Sequence, residues 1–133
     1  MAVSATNLTA GNDAGVGGTS FTTASISPSS NTLIQASVIT RTSANDPNHA
    51  TITGNGLTWV EVLSVNFDNS GSQKRLTVLR ALGTASAGTC VIDFAAQSQT
   101  DCVWVIDQLA TTDTSGTNGS GAIVQTASNT DRS

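Results

Sequence analysis

The stretch Thr51 to Leu82, TITGNGLTWVEVLSVNFDNSGSQKRLTVLRAL, decides the fold. It holds two segments in which apolar and polar residues alternate, Leu57 to Phe67 and Gln73 to Leu82, joined by Asp68-Asn69-Ser70-Gly71 and preceded by the corner Gly54-Asn55-Gly56. Successive side chains of a strand point to opposite faces of its sheet. The alternation therefore predicts Leu57, Trp59, Leu63 and Val65 on one face and Thr58, Ser64 and Asn66 on the other. Asn, Asp, Ser and Gly at the break tolerate the backbone that a tight turn demands. The pair reads as an antiparallel hairpin with one buried face.

The same pattern recurs on both sides of this stretch: Ala2 to Thr9, Thr19 to Ser27, Thr32 to Arg41, His49 to Thr53, Gly88 to Ala95, Asp101 to Ala110 and Gly121 to Thr126. With the hairpin this makes about nine short strands. Turn-forming runs separate them, among them Ser27-Pro28-Ser29-Ser30-Asn31, Asn45-Asp46-Pro47-Asn48 and Thr114 to Gly119, and both prolines fall in such breaks. No window carries the i, i+3, i+4, i+7 spacing of an amphipathic helix, so the crossover helices that parallel strands need are missing. What remains is an all-β, antiparallel, jelly-roll-like β-sandwich of about 8–9 short strands.

Its expected core is Phe21, Ile34, Ala36, Val38, Leu57, Trp59, Leu63, Leu76, Val78, Leu82, Ile92, Phe94, Trp104 and Ile106, with Cys90 and Cys102 beside their aromatic neighbours. Val103 to Ile106 is apolar on both sides, which marks a central strand or one whose outer face meets another subunit. Residues 1–18 read as an N-terminal arm or edge strand, 19–126 as the sandwich and 127–133 as a polar C-terminal tail. A last strand over Gly121 to Thr126 leaves an edge for a partner to cover, or the tail is a flexible arm; the end in a Ser/Thr/Asn-rich stretch also fits a cut in a longer polypeptide.

Composition narrows the function. Charged residues are 11% of the 133, against about 25% in ordinary globular proteins, while Ser and Thr together number 38. The polar surface is built from hydroxyls, and such a surface is poorly defended against self-association. Five basic against nine acidic residues argue against nucleic-acid binding. No apolar run reaches the roughly 20 residues of a membrane helix, and Met1 to Asp13 lacks the basic start and apolar stretch of an export signal. The expectation is no membrane partner.

Few residues offer chemistry. Cys90 and Cys102 have equal parity about the loop Ala96 to Gln99, so a hairpin centred there would set them opposite one another. A cross-strand disulfide and a pair of small buried hydrophobes are the two alternatives. His49, the one histidine, sits beside Pro47 with Asp46 near; without a serine on a sharp turn or an oxyanion hole it reads as a surface residue. Asp93, Asp101 and Asp107 are expected as solvated outward acids, because the aromatic platforms of a glycosidase cleft are missing. Asp113 to Gly119 faintly resembles a calcium loop but lacks its second acid and closing Glu. No cofactor, metal or catalytic residue is expected. Lys74, Arg75 and Arg80 form the one basic group; Arg80 shares parity with Leu76 and Val78, which suits an inter-subunit contact, a pairing with Asp93 or a snorkelling strand-end arginine.

Ser27-Pro28-Ser29-Ser30-Asn31-Thr32-Leu33, Gly54-Asn55-Gly56-Leu57-Thr58-Trp59, Arg75-Leu76-Thr77-Val78-Leu79-Arg80-Ala81, Cys102-Val103-Trp104-Val105-Ile106 and Asp113 to Ala122, in that order, resemble the jelly-roll structural proteins of tailed-bacteriophage virions. The resemblance spans residues 19 to 125, and its motifs are turns and core positions. It implies a virion component assembled in the host cytoplasm, with a capsid decoration or cement protein as the expected role. Such a protein clamps the major capsid protein or other virion subunits, often as a homo-oligomeric trimer. It brings no catalytic residues, and it implies a chain continuing beyond Ser133. Alternative expectations are a carbohydrate- or receptor-binding jelly roll of a tail fibre, which needs an exposed aromatic, or a filament subunit joined by strand addition.

Overall fold

The structure, a computed structural model, describes residues 2–43, 45–68, 73–123 and 125–128. Among these the strands are β1 (Ser4–Asn12), β2 (Ser20–Thr22), β3 (Leu33–Thr42), β4 (Thr51–Gly54), β5 (Val60–Asp68), β6 (Gln73–Ala81), β7 (Cys90–Asp93) and β8 (Asp101–Ala110), followed by a short 3-10 segment, Thr117–Ala122. They make two antiparallel sheets, one in the order β1-β8-β3-β6-β5 and the other β2-β7-β4. The pairings nest: β1 lies with β8, β2 with β7, and β3 with β6. That is the jelly-roll plan of one long hairpin folded over on itself. It departs from full nesting at β5, which pairs with β6 in the larger sheet and leaves β4 at the edge of the smaller one.

The two sheets close on a core that needs both. Ile34, Ala36, Val38, Leu79, Cys102, Trp104 and Ile106 from the larger sheet meet Ile52, Cys90, Ile92 and Phe94 from the smaller and its flank, all at most 6% exposed. Phe21 ties the layers together, edge-on to Phe94 at 6.0 Å between ring centroids and stacked with Trp104 at 6.4 Å. Such aromatic pairs add about 1 kcal/mol beyond their buried area.

The Gly-Asn-Gly corner is a true corner. Gly54, Asn55 and Gly56 all have positive φ, at 126°, 56° and 67°. A Cβ on Gly54 would sit 2.5 Å from the Thr89 carbonyl oxygen, so the chain passes β7 at a distance only glycine permits. The Asn55 amide donates to the carbonyls of Ser86 and Gly88 at 3.0 Å each, and its oxygen accepts the Cys90 thiol at 2.6 Å. The corner thereby pins the start of β7.

Four expectations need correction. First, β5 carries a bulge between Glu61 and Leu63. The extra residue reverses the alternation, so Leu57 and Trp59 pack against the core while Leu63 and Val65 point away from it. Second, β6 turns Thr77, Leu79 and Ala81 inward and Leu76, Val78 and Arg80 outward. Both parities of β6 are apolar, and the inner one is chosen by its partners: Thr77 Oγ1 accepts the buried Ala50 N–H at 3.2 Å. Third, β7 and β8 belong to different sheets, so no hairpin sets Cys90 opposite Cys102; both are buried free thiols. Fourth, Gly121 and Ala122 lie in the 3-10 segment rather than a ninth strand, and the described residues that follow them form none. Asn118 and Gly119 have positive φ there, at 51° and 75°, which breaks extended geometry. Residues 129–133 of the expected tail lie outside the described residues. Ser4–Asn12 is an edge strand of the larger sheet, bulged between Asn7 and Thr9.

Candidate functional site

The outer face of the five-stranded sheet concentrates what the core does not use. Cross-strand register lays its outward side chains in rows. One row runs Val103, Ile39, Leu76, Val65 across β8, β3, β6 and β5, and the next runs Val105, Ser37, Val78, Leu63. Val103, Ile39 and Val105 are 48%, 44% and 36% exposed, and Leu76, Val65, Val78 and Leu63 are half-buried. A row of charge closes each end: Asp101, Arg41 and Lys74 beyond the first, Asp107, Gln35 and Arg80 beyond the second. Arg41 and Asp101 form an ion pair. Between this charged row and Ile39 and Val103 lies a depression of about 240 Å³. The outer side of the smaller sheet differs: Thr51, Thr53, Thr22 and Asp93 surround one exposed apolar residue, Val91.

The chain covers one end of this face itself. Leu33 shares the outward parity of Gln35 and Ser37 yet is 2% exposed. Gly119 is its cover: a Cβ there would fall 2.8 Å from Leu33 Cδ1. The Asn118 carbonyl accepts Arg80 Nε–H at 3.2 Å. Beyond, Ala122, Ile123, Gln125, Thr126 and Ala127 run beside Val62, Leu63 and Val78, leaving a groove of about 550 Å³. Among the described residues this covering segment leaves Val103, Val105 and Ile39 exposed.

The residues singled out from the sequence do not converge on a reaction centre. His49 is exposed, with Nδ1 2.6 Å from Glu61 Oε2. Asp107 accepts the Asn7 amide at 2.9 Å, and Asp93 accepts the Ala95 N–H at 2.9 Å in a turn of the other sheet, away from Arg80. Asp113 caps its own loop through the Ser115 N–H at 2.8 Å, which holds its exposed carboxyl below the usual range. Among the described residues no three His, Cys, Asp or Glu side chains group as a metal site would require. Lys74 and Arg80 share the outer face, whereas Arg75 points the other way, donating to the Pro47 carbonyl at 2.6 Å and Ser64 Oγ at 2.8 Å.

Burial sets the two thiols apart from reactive cysteines. It pushes Cys90 up to about 11, partly offset by the Thr23 hydroxyl, and Cys102 up to about 12, with the charge of Asp13 adding to the rise. Thiolates are the nucleophiles and metal ligands, so both side chains serve as packing. Trp104 is 6% exposed, so its ring is not free to stack on a sugar, and Trp59 is half-buried, packed against the core with its Nε1 buried.

Simple alternation puts Leu63, Val65, Leu76 and Val78 inward and so hides the extent of the outer face. The signal was present in the runs VEVLSV, LTVL and VWVI, apolar at both parities. Neither a protein-family model, a curated protein nor a solved structure matches this chain.

Proposed function

We propose that this chain is a structural virion protein, a capsid decoration or cement protein that acts through subunit contact and performs no catalysis. The observation that carries the reading is the pair of apolar rows on the outer face, exposed over β8 and β3 among the described residues, in a chain with 11% charged residues. The resemblance of its turn and core motifs to those of tailed-phage jelly rolls supports the virion context.

Magnitudes favour assembly over a single tight complex. Four strands about 4.8 Å apart and two rows about 7 Å apart make a flat apolar area on the order of 300 Å². Covering it is worth roughly 7 kcal/mol per partner surface. Association itself costs about 4–15 kcal/mol, so one contact is weak and many copies on a lattice bind firmly.

Quantitative mass spectrometry of purified virions tests the reading, together with co-sedimentation of the chain, at micromolar concentration, with capsids that lack it. The expected result is the chain in high copy number in the particle and saturable binding to the capsid. A chain missing from particles, with no capsid binding, overturns it.

A further inference from the structure

We propose that β1 pairs antiparallel with β1 of a second copy, about a two-fold axis perpendicular to the larger sheet, so that two five-stranded sheets join into one of ten strands. The proposal rests on the structural role above and names one of its subunit contacts.

The undefended edge is the first observation. The larger sheet ends at β1 and β5, and the smaller at β2 and β4. β2 and β4 have only three and four residues, and β5 carries Glu61 and Asp68. β1 runs nine residues, Ser4–Asn12, with no charged residue and no proline. A long edge without those guards is the kind that accepts a further strand. Among the described residues the covering segment lies over Leu33, Arg80 and Val78, on β3 and β6, at least two strands away from β1.

Hydrogen-bond parity sets the register. The Asp13 N–H donates to the Cys102 carbonyl at 3.0 Å. β8 has no inserted residue in its pairing with β1, so Trp104, Ile106, Gln108 and Ala110 also bond toward β1, to Gly11, Thr9, Thr6 and Ser4. Ala5, Asn7, Ala10 and Asn12 therefore turn their N–H and C=O groups to the open side, and all four residues are exposed. The two asparagine side chains are held within their own chain: Asn7 Nδ2 donates to Asp107 at 2.9 Å, and Asn12 Oδ1 accepts the Ala14 N–H at 2.7 Å.

The bulge selects the occupant. Two open positions precede the extra residue and two follow it, palindromic about a point between Leu8 and Thr9. A two-fold axis at that point sets Ala5 opposite Asn12 of the second copy and Asn7 opposite Ala10, giving four pairs that exchange two bonds each. A bulge sharpens the local twist and turns a straight partner strand away, whereas a copy bulged at the same point follows it. Ala10 and Asn12 share the outer face with Val105 and Val103, their neighbours on β8, and the axis keeps both outer faces on one side. The exposed valines of two copies then lie on a single surface, with the covering segments carried to its opposite flanks.

Sedimentation equilibrium across a concentration series reads the association, and circular dichroism confirms that each variant is folded. Ala10→Pro removes an N–H that faces the open side, and Ala10→Lys puts a charge on the edge; each is expected to weaken the dimer at least about tenfold. Thr53→Lys, on β4, is expected to associate as wild type does. Ala5→Cys and Asn12→Cys together are expected to give a covalent dimer with oxidised glutathione, because the two positions lie about 20 Å apart in one copy and face each other in the pair. Either cysteine alone is expected to leave the chain uncross-linked. Association that both Ala10 variants leave unchanged overturns the proposal. So do a trimer, a double-cysteine variant that does not cross-link, or a chain monomeric to about 500 µM, beyond the range in which even a small interface associates. Virion mass spectrometry and capsid co-sedimentation keep the two readings apart: a monomeric chain that is present in particles sinks this pairing alone, and a dimer that neither occurs in particles nor binds capsids sinks the virion role alone.

Discussion

The inner and outer faces of the five-stranded sheet are built from the same strands, residue by alternate residue, yet they have opposite fates. On β8, Cys102, Trp104 and Ile106 are at most 6% exposed, while Val103 and Val105 between them are 48% and 36% exposed. On β3, Val38 is 1% exposed and Ile39, the next residue, 44%. Side-chain chemistry does not separate Val38 from Val103; what lies across from each does. The inner face has Phe94, Ile92 and Cys90 opposite, and the outer has the chain's own 3-10 segment at one end and nothing over the valines among the described residues. A sheet whose two faces are both apolar is built for a layer on each side, and this chain supplies one layer and part of another.

The comparison breaks most sharply at Phe94. Fully buried between the sheets, its replacement by Ala is expected to cost about 4 kcal/mol, read as a lowered urea midpoint with an unchanged slope. Gly54→Ala comes next: with φ of 126° and a Thr89 oxygen 2.5 Å from the new Cβ, about 2–3 kcal/mol should be lost in the same assay.

The thiols sharpen the inner face through pH. Their folded values, about 11 and about 12, lie above the ordinary 9.0, so the folded state holds protons that the unfolded state gives up. Their contribution is complete below about pH 9 and is lost as pH rises from there through 11 to 12. Thermal melts across that window should show the loss, and Cys90→Ala with Cys102→Ala should lessen it. The smallest effect is expected outside: Val103→Thr should change the unfolding free energy by no more than about 0.5 kcal/mol, because that side chain is 48% exposed on the outer face.

Most of the architecture was legible in the alternation and the turns. Eight strand positions and the Gly-Asn-Gly corner follow from period and turn chemistry in residues such as Gly54, Asn55, Pro28 and Pro47. Facing was less legible, for a physical reason. A bulge at Glu61 to Leu63 leaves no mark in composition but reverses every side chain after it, and β6 is apolar at both parities, so only the partner strands decide its register. Pairing across the sandwich was not legible at all for Cys90 and Cys102. The loop between β7 and β8 looks like a hairpin turn in sequence, but the nested plan sends the two strands to different sheets. The apolar run of β8 reads from sequence as a central strand or one whose outer face meets another subunit, and the structure places it between β1 and β3 with Val103 and Val105 48% and 36% exposed.

The central claim is that the outer face is for association and the inner one for folding. Co-sedimentation of wild type and Val103→Asp with capsids that lack the chain, each with its thermal melt, tests it most directly. The account predicts a Val103→Asp protein that melts with wild type and loses the capsid binding that wild type shows. Retained capsid binding, or a melt as depressed as that of Val38→Asp on the inner face, contradicts it.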